Sequence, residues 1–347
     1  MESGRRLARL YAKRARERMR AILLLSALLP LFFFANLSYG ARGFNPASAI
    51  HGLMGSGVES VIVRDIRLPA ALAAVLVGAS LGLAGAVMQT ILDNPLASPY
   101  TLGVSAGAAF GAAAAYAVGF SIVPGIGGYA VPVNAFAFAM ATSLLVYALG
   151  RARGFTSEAL VLAGIAVSYM FHSLLALMEY LANEEALQAI VFWLFGSLYK
   201  ATWSKLLLGM AGLVTSLVVL TPLAWRMTSL RLGDEAAEAL GAEPRSTRLL
   251  GFAAASLLTA LSVCFYGVIG FIGLIAPHVA RGLVGEDFRY LASASALAGA
   301  LVLSAAHLAS RALVPGGVLP IGIVTSLAGV PFFLAIVAAR RGAAWSQ

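Results

Sequence analysis

The sequence contains one cysteine and three lysines, and these shortages exclude several kinds of function. Cys264 alone cannot form a disulfide framework or a paired thiol metal site, so we expect a small buried apolar side chain. None of the lysines follows a glycine in the G-x-x-x-x-G-K-[ST] pattern, so no P-loop is available to hydrolyse ATP. The sequence also has no Cys/His cluster. We therefore expect no catalytic residue, no metal site and no cofactor bound by this chain.

Charge is scarce as well. Charged residues make up 11% of the chain against 60% hydrophobic residues, and the mean hydropathy is +0.88. This composition is far from that of a soluble globular domain and indicates a polytopic membrane protein. The net charge is +9, but the basic residues flank apolar runs. We interpret them as topology signals and not as a nucleic-acid surface.

What the sequence does contain is a series of long uncharged runs. Leu68–Leu92 has 25 residues without a charge, enough for a helix to cross about 30 Å of hydrocarbon. The turn NPLASP follows, in which Asn94, Pro95 and Pro99 are predicted to fix a rigid geometry. Pro277 is predicted to end a short or broken helix farther along the chain.

Together these runs predict an all-α polytopic membrane protein of about ten transmembrane helices, some short or broken. The predicted spans are 21–37, 68–92, 103–118, 134–149, 159–180, 206–225, 249–266, a short helix ending at 277–278, 291–309 and 321–338. Residues 186–199 are too few to span and are interpreted as an interfacial helix. The basic segment 1–20 before an apolar run also fits a signal peptide. We prefer a retained first span, which gives one membrane domain, 21–341, and a short tail, 342–347.

The distribution of basic residues gives the orientation of these ten spans. Of the lysines and arginines, 18 fall on the side of the N-terminus and 6 on the other side. Because cytoplasmic loops carry the excess of Lys and Arg, both termini are predicted to be cytoplasmic.

The loop 226–248 is a long polar stretch on the cytoplasmic side. Asp234, Glu235 and Glu238 stand where a helix start favours negative charge, and Gly241 stands where a helix would end. Pro244 is suited to begin a second short helix. Two small helices on a water-facing loop are therefore expected.

Several long motifs occur in one order: RLP before LVGASLGLAGAVMQTILDNPLASPYTLGVSAGA, then GDEAAEALG, GVIGFIGLIAPHVAR and LPIGIVTSLAGVPFF. With them the chain resembles the FecCD family, from the second span onward. Its members are ten-span permease subunits of type II binding-protein-dependent ABC importers for ferric siderophores, haem and vitamin B12. The resemblance implies a homodimer in the cytoplasmic membrane of a prokaryote. It also implies two cytoplasmic ATPase subunits, which bind ATP and magnesium, and a periplasmic or lipid-anchored binding protein.

The resemblance also implies roles for individual residues. The segment that resembles the family's ATPase coupling helices contains Gly233, Asp234, Glu235, Glu238, Leu240 and Gly241. Arg67 and Arg311 match basic residues that dock the binding protein, and Arg64 could replace a docking charge absent at Ala70. Thr156 and Ser157 fall near the family's cytoplasmic gate. A second departure is His307, where relatives commonly have an acidic residue.

The resemblance implies that the chain translocates a metal chelate using ATP hydrolysed by a partner, with a ferric siderophore as the default substrate. Vitamin B12, haem and molybdate stay open as substrates. The alternative class is a stand-alone ion-coupled secondary transporter. Such transporters carry ionisable residues at membrane depth, where this chain has His172, His278 and little else.

Overall fold

The fold is almost entirely helical. The computed structural model describes residues 2–40, 43–154, 157–314 and 317–344. Its first half comprises α1 (Glu2–Ser38), a hairpin of β1 (Tyr39–Gly40) and β2 (Gly43–Phe44), α2 (Pro46–Met54), α3 (Val58–Val61), a π-helical turn (Ile62–Arg67), α4 (Leu68–Ile91), α5 (Val104–Val118), a 3-10 turn (Gly127–Tyr129), α6 (Ala130–Ala152) and α7 (Ser157–Leu181). The all-α class predicted from the sequence is confirmed.

The second half continues in the same manner. It comprises α8 (Glu184–Leu194), a 3-10 turn (Leu198–Lys200), α9 (Trp203–Leu220), α10 (Ala224–Ser229), a 3-10 turn (Leu230–Leu232), α11 (Asp234–Ala239), α12 (Pro244–Tyr266), α13 (Ile272–Val284), α14 (Phe288–Ala312) and α15 (Ile321–Ala344). The two-residue strands pair antiparallel, with Tyr39 opposite Phe44.

Seven helical segments among the described residues are long and apolar enough to cross a membrane. Three further apolar helices are shorter, Val104–Val118, Ile272–Val284 and Ile321–Ala335, and they lie where the third, eighth and tenth spans were predicted. A polytopic membrane protein is confirmed, whereas ten full-length spans are not found in the described residues. The boundaries of α1 also differ from the prediction, because the basic segment is helical and continuous with the first span.

Prolines account for the other corrections. The predicted sixth span, 206–225, runs past the end of α9 at Leu220, because Pro222 has no N–H with which to continue the helical hydrogen bonds. Pro244 does not begin a short helix but occupies the first turn of the long helix α12. Conversely, α13 does not end at Pro277; it passes through this proline and ends at Val284.

The core of the molecule is α4, almost all of whose side chains are buried. Glycines in α4 let its backbone lie in direct contact with the backbones of α13 and α14. A Cβ atom on Gly82 would overlap the carbonyl oxygen of Ser295 in α14, and one on Gly85 would overlap the carbonyl oxygen of Gly273 in α13. Small residues at helix crossings are the usual means of close packing in membranes. Cys264 is buried in α12, as expected.

The packing defines two ends of the molecule. One, the loop end, contains α10, α11, the end of α4 and the junction between α13 and α14, and ion pairs hold these parts together. The other, the hairpin end, contains the β1–β2 hairpin, the start of α4 and the end of α14.

Candidate coupling and docking sites

The segment predicted to couple to an ATPase lies at the surface of the loop end. Gly233 has φ +92°, which suits glycine, and it precedes the first turn of α11. Asp234 and Glu235 stand in that first turn, where the helix dipole favours negative charge. Gly241, at φ +83°, ends the helix. The predicted short helix is therefore present, and Glu235, Glu238 and Leu240 are exposed on it.

An arginine fixes this helix to the membrane helices. Nη1 and Nη2 of Arg248 donate to the two carboxylate oxygens of Asp234, each at 2.7 Å, and its Nε donates to the carbonyl oxygen of Ile91 at 3.2 Å. These bonds hold the pKa of the Asp234 carboxyl below its ordinary value. A bidentate pair defines orientation as well as distance, so α11 is aligned with α12 and the end of α4.

A second arginine joins the same loop to α4 and to the α13–α14 junction. Arg231 precedes α11 and pairs with Glu286 and, at 3.6 Å, with Asp93. Glu286 also accepts from Nε of Arg281 at 2.6 Å. Asp93 has a left-handed backbone at φ +42°, which places its carboxylate beyond the end of α4. No site role was predicted for these four residues from the sequence.

The NPLASP turn lies at the same end. Oδ1 of Asn94 accepts from the backbone N–H of Leu96 at 2.9 Å, an Asx turn. Ser98 and Thr101 hydrogen-bond each other through backbone and side chain. The side chain of Asn94 thus acts on the backbone of the turn. Pro277, which was predicted to end a helix at a turn, lies inside α13 instead.

The predicted gate at the start of α7 is only partly covered by the structure. Thr156 lies outside the described residues. Ser157 is the first residue of α7, and of this residue only its place in the helix is described. Its gating role stays a prediction.

The arginines predicted to dock a binding protein lie at the hairpin end and donate to backbone carbonyl groups. Arg311 is only 8% exposed; it donates to the carbonyl oxygens of Asn36 and Tyr39 at 2.9 and 2.8 Å, and to the side-chain oxygen of Asn36. Arg67 is half-buried and donates to the carbonyl oxygen of Leu37 at 3.1 Å. Arg64 is exposed and donates to the end of α2. Arg311 therefore anchors α1 to α14, and Arg64 is the most accessible of the three.

A cavity of about 490 Å³ opens at the hairpin end. Arg67, Arg311 and Tyr199 lie in its wall. No carboxylate forms a salt bridge with any of the three arginines in the part of the chain that the structure describes. His307, which departs from the family pattern, is buried beside Arg311, and its carbonyl oxygen accepts from Nε of Arg311 at 3.3 Å. Ala70, the other departure, is fully buried in α4. The cavity wall is thus positively charged.

Another cavity, of about 260 Å³, lies between α4, α12 and α13 and is mainly apolar. Its wall includes Leu81, Val263, Phe271, Gly273 and Phe333. Phe271 has a left-handed backbone at φ +65°, and its ring lies against Gly329 of α15. Among the described residues no group of three His, Cys, Asp or Glu side chains could hold a metal ion.

Ser105, also in this wall, stands in a G-x-S-x-G spacing with Gly103 and Gly107. That spacing marks a hydrolase nucleophile where a strand precedes it. Here the NPLASP turn precedes it, and Ser105 lies in the first turn of α5. The local structure is therefore not a nucleophile elbow.

The model of the FecCD transport family matches residues 28–339. The chain belongs to the FecCD transport family. It is 36% identical over 277 residues to the hemin transport system permease protein HmuU of Yersinia pestis, covering 80% of this chain and 83% of that protein. It is 34% identical over 317 residues to the Fe(3+)-citrate import system permease protein YfmE of Bacillus subtilis, covering 90% and 93%.

A solved structure has the same fold. It is described as "an inward-facing conformation of a putative metal-chelate type ABC transporter", with a TM-score of 0.80 and 32% sequence identity. The match covers 92% of this chain and 99% of that chain. This member of the FecCD family is therefore a transmembrane ABC transporter permease, as the sequence motifs indicated.

The N-terminal part of α1 precedes the region that the FecCD model matches. It is attached to the loop end, where Arg18 pairs with Asp287 at 3.3 Å and lies over the ring of Tyr290. Nη2 of Arg289 donates to the hydroxyl of Tyr11 at 3.3 Å. Hydrogen bonds from Arg289 and the nearby Arg18 hold the pKa of the Asp287 carboxyl below its ordinary value. The basic segment is therefore packed against the start of α14.

Proposed function

We propose that this chain is the permease subunit of a binding-protein-dependent ABC importer that moves a metal chelate, by default a ferric siderophore, into a prokaryotic cell. The observation that carries the proposal is the exposed helix α11, which is fixed to α12 by the Asp234–Arg248 pair, and to the end of α4 and the α13–α14 junction through Arg231. A partner that displaces such a helix would also displace the membrane helices to which it is fixed.

In this proposal the loop end faces the cytoplasm and binds the ATPase subunits. The positive-inside rule supports this orientation, and it places both termini of a ten-span chain in the cytoplasm. ATP and magnesium then belong to the two ATPase subunits. Glu235, Glu238 and Leu240 are exposed for contact with them, between the glycines that bound α11.

The hairpin end then faces the binding protein, which is periplasmic or lipid-anchored. Its cavity is lined by two arginines, and a positively charged wall suits an acidic partner because complementary charge steers docking. Arg64 is accessible for this contact. Arg67 and Arg311 contribute mainly through the field of the cavity, since their donors engage backbone groups.

A second copy of this chain is proposed to cover the exposed apolar faces of α7 and α15. Tyr169 and Leu162 of α7, and Leu327 and Leu334 of α15, are among the most exposed large apolar side chains. The substrate would pass along the axis between the two copies. A chelate brings its own metal ligands, so the path needs no metal-binding cluster, and the names of HmuU and YfmE favour an iron chelate or haem.

The proposal is tested by reversing charge on α11. Glu235→Lys combined with Glu238→Lys should abolish stimulation of the ATPase by loaded binding protein, because both side chains lie on the exposed helix. Glu17→Lys is the matched control, since Glu17 is an exposed acid on the N-terminal part of α1 at the same end. Normal stimulation in the α11 variant would refute the assignment of the coupling site.

Uptake into proteoliposomes separates the classes of transporter and the substrates. An ATP-driven importer takes up substrate only with ATP, ATPase subunits and binding protein. A stand-alone secondary transporter would instead respond to an ion gradient without ATP. Supplying ferric siderophore, haem, cobalamin and molybdate in turn identifies the substrate.

A further inference from the structure

A proline in α13 leaves one backbone carbonyl group without its usual helical donor. Pro277 has no N–H, so the carbonyl oxygen of Gly273, four residues earlier, lacks its helical partner. Gln89 of α4 supplies a donor, with its Nε2 atom 3.4 Å from that oxygen. Gln89 is buried at 2% exposure, and the close approach of Gly85 to Gly273 brings the two helices near enough for this contact.

The other end of the Gln89 amide faces the loop end. Its Oε1 atom accepts from Nη1 of Arg281 at 2.8 Å. Arg281 donates through Nε to Oε2 of Glu286 at 2.6 Å, and the same oxygen pairs with Arg231. A continuous chain of polar contacts therefore runs from Arg231, beside α11, to the carbonyl group of Gly273.

The two ends of this chain lie at functionally different places. Arg231 is separated from α11 by Leu232 and Gly233. Gly273 is part of the wall of the 260 Å³ apolar cavity. Two of the three intermediate side chains are shielded, with Gln89 buried and the Arg281 side chain 16% exposed, whereas the Glu286 side chain is 44% exposed. Shielded polar contacts are weakened less by water and salt than surface ion pairs.

We propose that Gln89, Arg281 and Glu286 are positioning residues that transmit movement of α11 to the cavity wall at Gly273. A shift of Arg231 changes the position of Glu286 and Arg281, and through Gln89 it displaces α13 relative to α4. The inference rests on the proposed function, because the movement of α11 must come from an ATPase partner.

The test uses the intact complex with its copurified ATPase subunits and binding protein, reconstituted in proteoliposomes. The measured quantity is uptake of ferric siderophore per ATP hydrolysed. Gln89→Leu removes both hydrogen bonds of the side-chain amide. It should lower this ratio roughly 2- to 30-fold, the range expected for residues along a coupling network, while basal ATP hydrolysis persists. Arg231→Gln should act in the same direction. Arg14→Gln, an exposed arginine of α1, is the matched control and should leave the ratio unchanged.

A double-mutant cycle separates transmission from a structural role. If Gln89 and Arg231 belong to one series of polar contacts, uptake per ATP in the double variant should be no lower than in the more impaired single variant, because one substitution already interrupts the series. Effects that multiply in the double variant, or an unchanged ratio in Gln89→Leu, overturn the inference.

A more conservative variant covers the case in which Gln89→Leu does not fold. Gln89→Glu keeps an acceptor for Arg281 but cannot donate to Gly273, so it should also lower uptake per ATP, and wild-type coupling in this variant overturns the inference. A wild-type complex without ATP-driven uptake of any of the four substrates, ferric siderophore, haem, cobalamin and molybdate, would instead refute the proposed function, and the inference with it. The two failures are therefore distinguishable.

Discussion

Arg311 allows a direct test between anchoring and docking. The perturbation is Arg311→Met, which retains an unbranched apolar stem and removes every donor of the guanidinium group. In the folded chain that group donates to the backbone of His307, Asn36 and Tyr39 and to the Asn36 side chain. The variant therefore leaves buried acceptors at the end of α1 and in the hairpin without their donor.

The magnitude follows from these bonds. A hydrogen bond from a charged donor contributes about 1.5–3 kcal/mol, and several are lost together. Part of this loss is offset, because the variant no longer has to hold a guanidinium group away from water. We expect a net decrease in the free energy of unfolding of about 2–4 kcal/mol.

The assay is unfolding of the purified protein in mixed micelles of increasing SDS content, in parallel with binding-protein affinity. Arg64→Met is the control at the same end, where the arginine is exposed. It should change stability by less than about 0.5 kcal/mol and weaken docking. Unchanged stability in Arg311→Met together with lost docking would refute the anchoring argument and restore the docking role inferred from the family.

Two further predictions concern packing and pH. Gly82→Ala should lower the stability of the protein by about 1–2 kcal/mol, because the new Cβ would overlap the carbonyl oxygen of Ser295. Gly282→Ala is the control: its new Cβ has no atom within 4 Å, so this variant should raise the stability. Equal shifts of the melting temperature in the two variants would contradict the close approach of α4 to α14. The Asp234–Arg248 pair should stabilise the fold above the ordinary aspartate pKa and lose its contribution as pH falls through the lowered pKa of Asp234. Asp234→Asn should therefore be less stable than wild type by under about 1 kcal/mol at pH 6–8, and the difference should shrink below about pH 4.

The features predicted best from the sequence are those that depend on residues close together in the chain. Uncharged runs located the helices, and the glycines around α11 located its ends, since both depend on neighbouring residues. Prolines were harder to interpret. Pro244 starts a long helix, and Pro277 lies inside one, where a distant side chain, Gln89, donates to the carbonyl oxygen left without its helical partner.

The contacts that join the helices could not be predicted from the sequence. Arg281 meets Gln89 across 192 positions, and Arg311 meets Asn36 across 275. No periodicity links residues that far apart, so Arg311 was expected at an exposed docking surface and lies buried. The resemblance to the FecCD family supplied what spacing could not, namely the class of transporter.

The glycine contact between α4 and α14 also affects how the protein is made. Gly82 and Ser295 lie roughly 200 residues apart, so α14 leaves the ribosome about 10–40 s after α4 at about 5–20 residues per second. During that interval α4 occupies the bilayer without the helix that its glycine face fits. A nascent chain interrupted before α14 would leave this glycine face of its central helix against lipid, although α12 and α13, which precede α14, already pack on other parts of α4.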